Sequence, residues 1–196
     1  MKRWLLLICL FFYLPVLPAS GATFSQPDQT ALLEYARAVM MSRLEKSPLP
    51  SQPSISASSQ RACFVTFFVK QQVVACFGSF TPRHATLFDE ISDNIRLALK
   101  NDRRASRLTP ELTRSASIQI TFPGQPQPIS DWRMVDPLHE GLLVEAPDGR
   151  GVAIVPGEAR TAQYAWRSAL QRLGLHERSN GVRLYRFKAE WIRSGL

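Results

Sequence analysis

Two short runs near the middle of this chain leave few choices of fold. Residues 63–69 (CFVTFFV) and 73–77 (VVACF) are rich in aromatic and β-branched side chains, and only Lys70, Gln71 and Gln72 separate them. Runs of this kind across a short polar gap predict a β-hairpin. Gly78 ends the second run, and Pro82 opens the next element. Leu87, Ile91, Ile95 and Leu99 then recur at i+4 steps, which predicts a helix over 83–100. Beyond it come Asn101, Asp102 and a basic loop, RRASR. Upstream, Asp28 can cap a helix over 28–46 that carries Leu32, Leu33, Ala36, Val39, Met40 and Leu44 on its apolar side. The stretch 47–60 (SPLPSQPSISASSQ) holds three prolines and reads as an extended strap.

The second half is a series of shorter signals. Ile118, Ile120 and Phe122 alternate with Gln119 and Thr121, predicting a half-buried strand over 115–122. PGQPQPIS reads as a proline-rich loop. Strands are expected at 142–145 and 152–155, joined by the turn Asp148-Gly149-Arg150-Gly151. Residues 161–173 have helical spacing, with Gly174 as the stop, and 182–192 reads as a long final strand. The order αββαβββαβ predicts an α/β domain of the α+β type, with a mixed, largely antiparallel sheet and flanking helices.

The first residues carry a different message. Lys2 and Arg3 precede an uncharged run from Trp4 to Leu17; Pro15 and Pro18 break it, and Ala19, Ser20, Gly21 and Ala22 follow. This is the three-part pattern of a secretory signal. Cleavage is expected after Ala22, giving a signal peptide at 1–22 and a single domain at 23–196. The rival, an uncleaved anchor, needs about 20 apolar residues, and this run is shorter. The protein is therefore expected to be exported, periplasmic or secreted. The formal charge is +8, and losing Lys2 and Arg3 would lower it by two, to +6. Outside the cytoplasm little nucleic acid is available. Weak contact with an anionic membrane surface or acidic envelope polymers fits better, and solubility through net charge is the simplest account.

Few patterns point to chemistry. There is no phosphate loop, CxxC, HExxH or GxSxG, so no metal site and no cofactor are expected. The histidines are His84, His139 and His176. Cys76 is the candidate nucleophile: it lies at a strand end before a helix, where the helix N-terminus and His84 could activate a thiol. The plainer reading is a small buried side chain. A disulfide to Cys63 is a further alternative. With Lys70–Gln71 as the loop, Cys63 faces Gly78 and Val65 faces Cys76. The cysteines then share one face as diagonal neighbours, about 7–8 Å apart, just beyond disulfide reach of about 7 Å. A shift by one pair would set them opposite. Bonded and free thiols both remain open. The region 160–196 holds seven Arg and one Lys against Glu177 and Glu190, and reads as a solvated face.

Five runs in order, FVTFFVKQQVVACFGSF, NDRRASRLTPEL, IQITFPGQPQPISD, EGLLVEAPDGRGVAIVPGEA and VRLYRFKAEWI, resemble the AMME-syndrome candidate-gene-one domain family. That family includes protein A of the AmmeMemoRadiSam system. The resemblance covers about 28–193 and implies a two-subdomain α/β fold around a cleft, without implying a reaction. The family's signature is an Arg-Gly-Cys-Ile-Gly run. Here it reads Val74-Ala75-Cys76-Phe77-Gly78, so Cys76 and Gly78 carry over and the arginine and first glycine do not. Asp102, Arg104, Leu108 and Thr109 match another family run, in which Ala105 and Ser106 replace Phe-Pro. The resemblance thus marks Gly78, Asp102, Arg104 and Thr109 as binding residues. A radical S-adenosylmethionine partner, implied by the family, needs a reducing interior that an exported chain would not share. The expectation is a non-catalytic envelope protein that binds a small ligand or a protein partner. A Cys76-dependent enzyme and a component of an AmmeMemoRadiSam-type modification system are the alternatives.

Overall fold

Ser25, not Asp28, starts the first helix. Its hydroxyl accepts the Asp28 amide at 3.3 Å, and Pro27 fits the first turn, where no N–H is needed. In the computed structural model, which describes residues 24–55 and 60–194, this helix is α1, Gln26–Glu45. The expected signal peptide lies outside the described residues. Leu32, Tyr35, Ala36, Val39 and Met40 form the buried stripe of α1. The described part of the strap, 47–55, has neither helix nor strand. Its Gln52 donates to Asp89 at 2.9 Å, and Ile55 packs on the core below.

Strands β1, Phe64–Val69, and β2, Gln72–Gly78, form the expected hairpin. Lys70 and Gln71 make its loop with φ of 49° and 63°, the two positive angles a type I′ turn requires. Val69 pairs with Gln72 as the turn dictates, but a bulge between Phe67 and Phe68 then moves the register by one. Thr66, not Val65, faces Cys76. Because side chains alternate along a strand, this single step puts Cys76 and Cys63 on opposite faces of the hairpin. The diagonal arrangement expected of them is not formed, and both are free thiols.

Helix α2, Leu87–Asn101, begins four residues later than the spacing suggested, because Thr86 caps it by accepting the Asp89 amide at 3.1 Å. The basic loop is a 3₁₀ turn, Arg103–Arg107, followed by a short helix that the sequence pattern did not announce, α3, Pro110–Ser115. Then come β3, Ser117–Pro123, and β4, Gln127–Ile129. The latter falls in the expected proline-rich loop. Pro128 is tolerated because β4 pairs only with the last strand and needs no donor on its outer side. A 3₁₀ turn, Trp132–Met134, leads to β5, Glu140–Glu145, and β6, Gly151–Ile154. Helix α4, Ala162–Leu173, stops at Gly174 (φ 71°), and β7, Arg183–Arg193, follows.

Among the described residues all pairings are antiparallel, in one seven-stranded sheet of order β2-β1-β3-β7-β5-β6, with β4 also on β7. The long strand β7 is shared. Residues 189–193 pair with β3, and 183–188 pair with β5. Two cores result. One packs α1 and α2 on the β2-β1-β3 half through Val39, Phe67, Phe88, Ile95 and Ile118; the other packs α4 on β5 and β6 through Leu142, Val144, Trp166 and Leu170. Each large side chain among these contributes about 1.5–3 kcal/mol by leaving water. Phe64, Val155 and Phe187 fill the seam between the halves. Gly141 allows this closure: a Cβ there would lie 2.0 Å from the Phe187 ring.

Candidate functional site

One row of paired residues crosses four strands. Cys76 on β2 pairs with Thr66 on β1, Thr66 with Gln119 on β3, and Gln119 with Arg193 on β7. The opposite face of these strands is apolar core, while this row is polar and still buried: Thr66 and Gln119 are 0 % and 2 % exposed. Buried polar groups need partners, and these have them. The Thr66 hydroxyl donates to Cys76 Sγ at 3.2 Å. Gln119 Nε2 donates to Thr121 Oγ1 at 3.0 Å and to the Pro156 carbonyl at 3.1 Å. The second bond draws the segment after β6 over the row.

Four charges follow that segment across the seam. Asp102, at the end of α2, accepts the Cys76 amide at 2.9 Å and the Arg104 amide at 3.0 Å. Arg104 Nη2 lies 2.7 Å from Asp102 Oδ2, and its Nη1 lies 2.9 Å from Glu158 Oε1. Arg172 of α4 also donates to Glu158 Oε1. Glu158 Oε2 accepts the Val155 amide at 3.3 Å, and the Glu158 side chain is only 2 % exposed. Asp102–Arg104–Glu158–Arg172 is thus an alternating chain, neutral in sum, that ties one half of the molecule to the other. The alternation is what permits these charges at low exposure, since a lone buried ion would be strongly disfavoured.

The chain sets the ionisation of its members. Burial alone would lower the Arg104 pKa, but its bonds to Asp102 and the nearby Glu158 carboxylate overrule burial and raise it. Burial likewise works against the Asp102 carboxylate, yet Arg104 and two backbone amides hold it below the usual range. At Cys76 the balance goes the other way. Burial, followed by the negative charge of Glu158, pushes the thiol up to about 12, against the Thr66 hydrogen bond and the more distant Arg104 and Arg172. A thiol in this state is protonated at neutral pH.

The expected partners of Cys76 are thereby sorted. His84 is not beside it. The His84 ring lies 3.2 Å from Asp93 Oδ2, and its amide donates to Glu90. That carboxylate also receives the Arg83 amide at 2.8 Å; Arg83 in turn donates to Asn94, which bonds the Cys63 carbonyl at 2.9 Å. His84 therefore belongs to a structural cluster around the start of α2 and Cys63. Gly78 is a close-approach residue: a Cβ would meet the Cys63 carbonyl at 2.4 Å. Thr109 is the cap of α3, accepting the Leu112 amide at 3.2 Å. Asp102 and Arg104 do come together with Cys76. Thr66, Gln119, Glu158 and Arg172 were not singled out by sequence reasoning. The one available signal was that Glu158 stands next to last in a family-like run. Among the described residues, no three His, Cys, Asp or Glu side chains converge to hold a metal ion.

A family profile, AMMECR1, matches residues 33–192. The chain belongs to the AMMECR1 family. A protein of Thermotoga maritima, whose name assigns no activity, is 28 % identical over 116 residues, covering 59 % of this chain and 67 % of its own length. The AMMECR1 fold is also seen in a crystal structure of an uncharacterised protein of Pyrococcus horikoshii. It superimposes with a TM-score of 0.64 at 16 % identity, over 83 % of this chain and 89 % of that one.

Proposed function

We propose that this AMMECR1-family chain is a non-catalytic binding module of the cell envelope that takes a small polar ligand or a protein segment at the seam. The observation that carries the reading is the state of Cys76. Burial and the Glu158 carboxylate push its thiol up to about 12, and His84 is held elsewhere, its ring on Asp93 and its amide on Glu90. A nucleophile needs the reverse, a thiolate favoured by a cation or by a proton acceptor within reach. What the site offers instead is a chain of paired charges across the seam, whose partly exposed cations, Arg104 and Arg172, can exchange internal partners for those of a ligand.

Export is supported by the first 22 residues, whose basic start, uncharged run and small-residue end match a signal. It is compatible with the thiols. On opposite faces of one hairpin, Cys63 and Cys76 cannot bond to each other, so both can persist in an oxidising compartment. Family membership alone supports the other reading, a component of an AmmeMemoRadiSam-type system, and that reading requires a cytoplasmic location.

Intact mass and alkylation of the protein from its own host test both parts. The expected mass begins at Thr23. The expected rate of Cys76 alkylation at pH 7 is at least about a hundredfold below that of glutathione, because so little thiolate is present. Glu158→Gln should speed the reaction. Fast alkylation of the unaltered protein would replace the binding module with a Cys76-dependent enzyme, and an intact N-terminus in the cytosol would overturn export.

A further inference from the structure

The chain has three asparagines, Asn94, Asn101 and Asn180, and the fold holds them differently. Asparagine is chemically labile. It reacts when the backbone nitrogen of the next residue reaches its side-chain carbonyl carbon, and a helix or hydrogen bond that fixes that nitrogen prevents the approach. Asn94 is buried within α2, and its side-chain amide donates to the Cys63 carbonyl at 2.9 Å. Asn101 ends the same helix, and the next amide, that of Asp102, donates to the Ala98 carbonyl at 2.9 Å. Asn180 is exposed, in the turn just before β7. Neither its side chain nor the Gly181 amide has a hydrogen-bond partner among the described residues. Gly181, with φ of 75°, offers no side chain to hinder attack. The exposed pair Asp148-Gly149 is the contrast. There the Gly149 amide donates to the Ala146 carbonyl at 3.0 Å, and the Asp148 carboxylate accepts the Arg150 amide at 3.0 Å and Arg150 Nε at 2.8 Å. The structure closes that pair and leaves Asn180-Gly181 open.

We propose that Asn180 is a site of spontaneous covalent modification, its side chain closing on the Gly181 nitrogen. That nitrogen loses its proton, its bond to Asn180 Cγ forms and the Cγ–Nδ2 bond breaks. Ammonia leaves and a cyclic imide remains. Water then opens the ring at either carbonyl, giving aspartate or isoaspartate. Water is the one co-reactant, and nothing is oxidised or reduced. Either product puts a carboxylate where a neutral amide stood, between Arg178 and Arg183 in the chain. Isoaspartate also inserts a methylene into the main chain just ahead of Val182 and β7. That place is tightly built. A Cβ on Gly181 would lie 3.1 Å from Pro147 in the β5–β6 turn, Val182 packs on the second core, and Arg183 pairs with Glu145. The isomer therefore loosens the start of β7, while 189–193 stay paired with β3. This site is independent of any binding at the seam.

The test ages the purified full chain at pH 6 and pH 8 and digests it with trypsin beside an unaged sample. Cleavage after Arg178 and Arg183 isolates residues 179–183. The expected result is a growing fraction of that peptide with the mass of the acid, separating into two isomers. Of these, the isoaspartyl form accepts a methyl group from protein isoaspartyl methyltransferase. The rate should rise toward pH 8 by up to about tenfold per unit, because the attacking nitrogen must give up its proton. Peptides holding Asn94, Asn101 and Asp148 should stay unchanged in the folded chain. Those holding Asn101 and Asp148 should change when the chain is aged in urea. Asn180→Gln should remove the modification from 179–183. Amide hydrogen exchange of the aged protein should quicken at 183–188 and not at 189–193. An unmodified 179–183 peptide, or equal modification of Asn101 in the folded chain, would overturn the proposal. Unchanged exchange at 183–188 in a protein that carries isoaspartate would overturn the effect on β7.

Discussion

Asp102 does two jobs with one carboxylate. It fixes the Cys76 amide and it orients Arg104 toward Glu158. Its folded pKa lies below its unfolded value. The stability it contributes is therefore complete above the unfolded pKa, near 4, and is lost as pH falls through the folded value. Urea midpoints measured from pH 7 to pH 2.5 should show this loss, and Asp102→Asn should flatten the acid limb while lowering stability at pH 7 by about 1–3 kcal/mol. A limb of unchanged slope in the variant would mean that other carboxylates carry the acid response. The same residue shows what a sequence can announce. Asp102 and Arg104 are two apart and stand in a family-like run, so they were found; Glu158 lies 54 positions from Arg104, and nothing local records that the two meet.

The hairpin is the element where reading and structure can be compared most closely. Its existence follows from composition, because a short polar gap, Lys70, Gln71 and Gln72, lies between two β-branched, aromatic runs. Its register beyond Phe68 does not follow, because a bulge is one uncounted residue and side-chain facing alternates with every residue. That one step decided the environment of Cys76. Helix α3 and strand β4 escaped for a related reason: six and three residues are too few to display a period, and each is fixed by a cap or by a neighbouring strand. The loop itself gives a test. Lys70 and Gln71 hold positive φ without being glycine or asparagine, at a cost of roughly 1 kcal/mol each. Replacing them with Asn and Gly should raise unfolding stability by about 1 kcal/mol, read from chemical denaturation. The exposed Gln71–Arg160 bond lost in the exchange is worth little. A fall in stability would mean that this bond helps hold the hairpin to the second half.

At the scale of the molecule, two cores meet through one packed seam, and its tightest point is Gly141 under the Phe187 ring. Gly141→Ala should cost about 1–3 kcal/mol by overpacking. Its thermal melt should also change in form, because the seam joins two units with separate cores. A melt that broadens or splits is expected; a sharp, merely shifted melt would show that the halves unfold together whatever the state of the seam. The sharing of β7 between the halves also has a meaning in time. During synthesis, β3, β4 and β5 all leave the ribosome before the strand that joins them. The β2-β1-β3 unit pairs within itself and packs on α1 and α2, so it can form before residues 183–193 appear, and what waits for the last strand to be made is the joining of the two halves into one body.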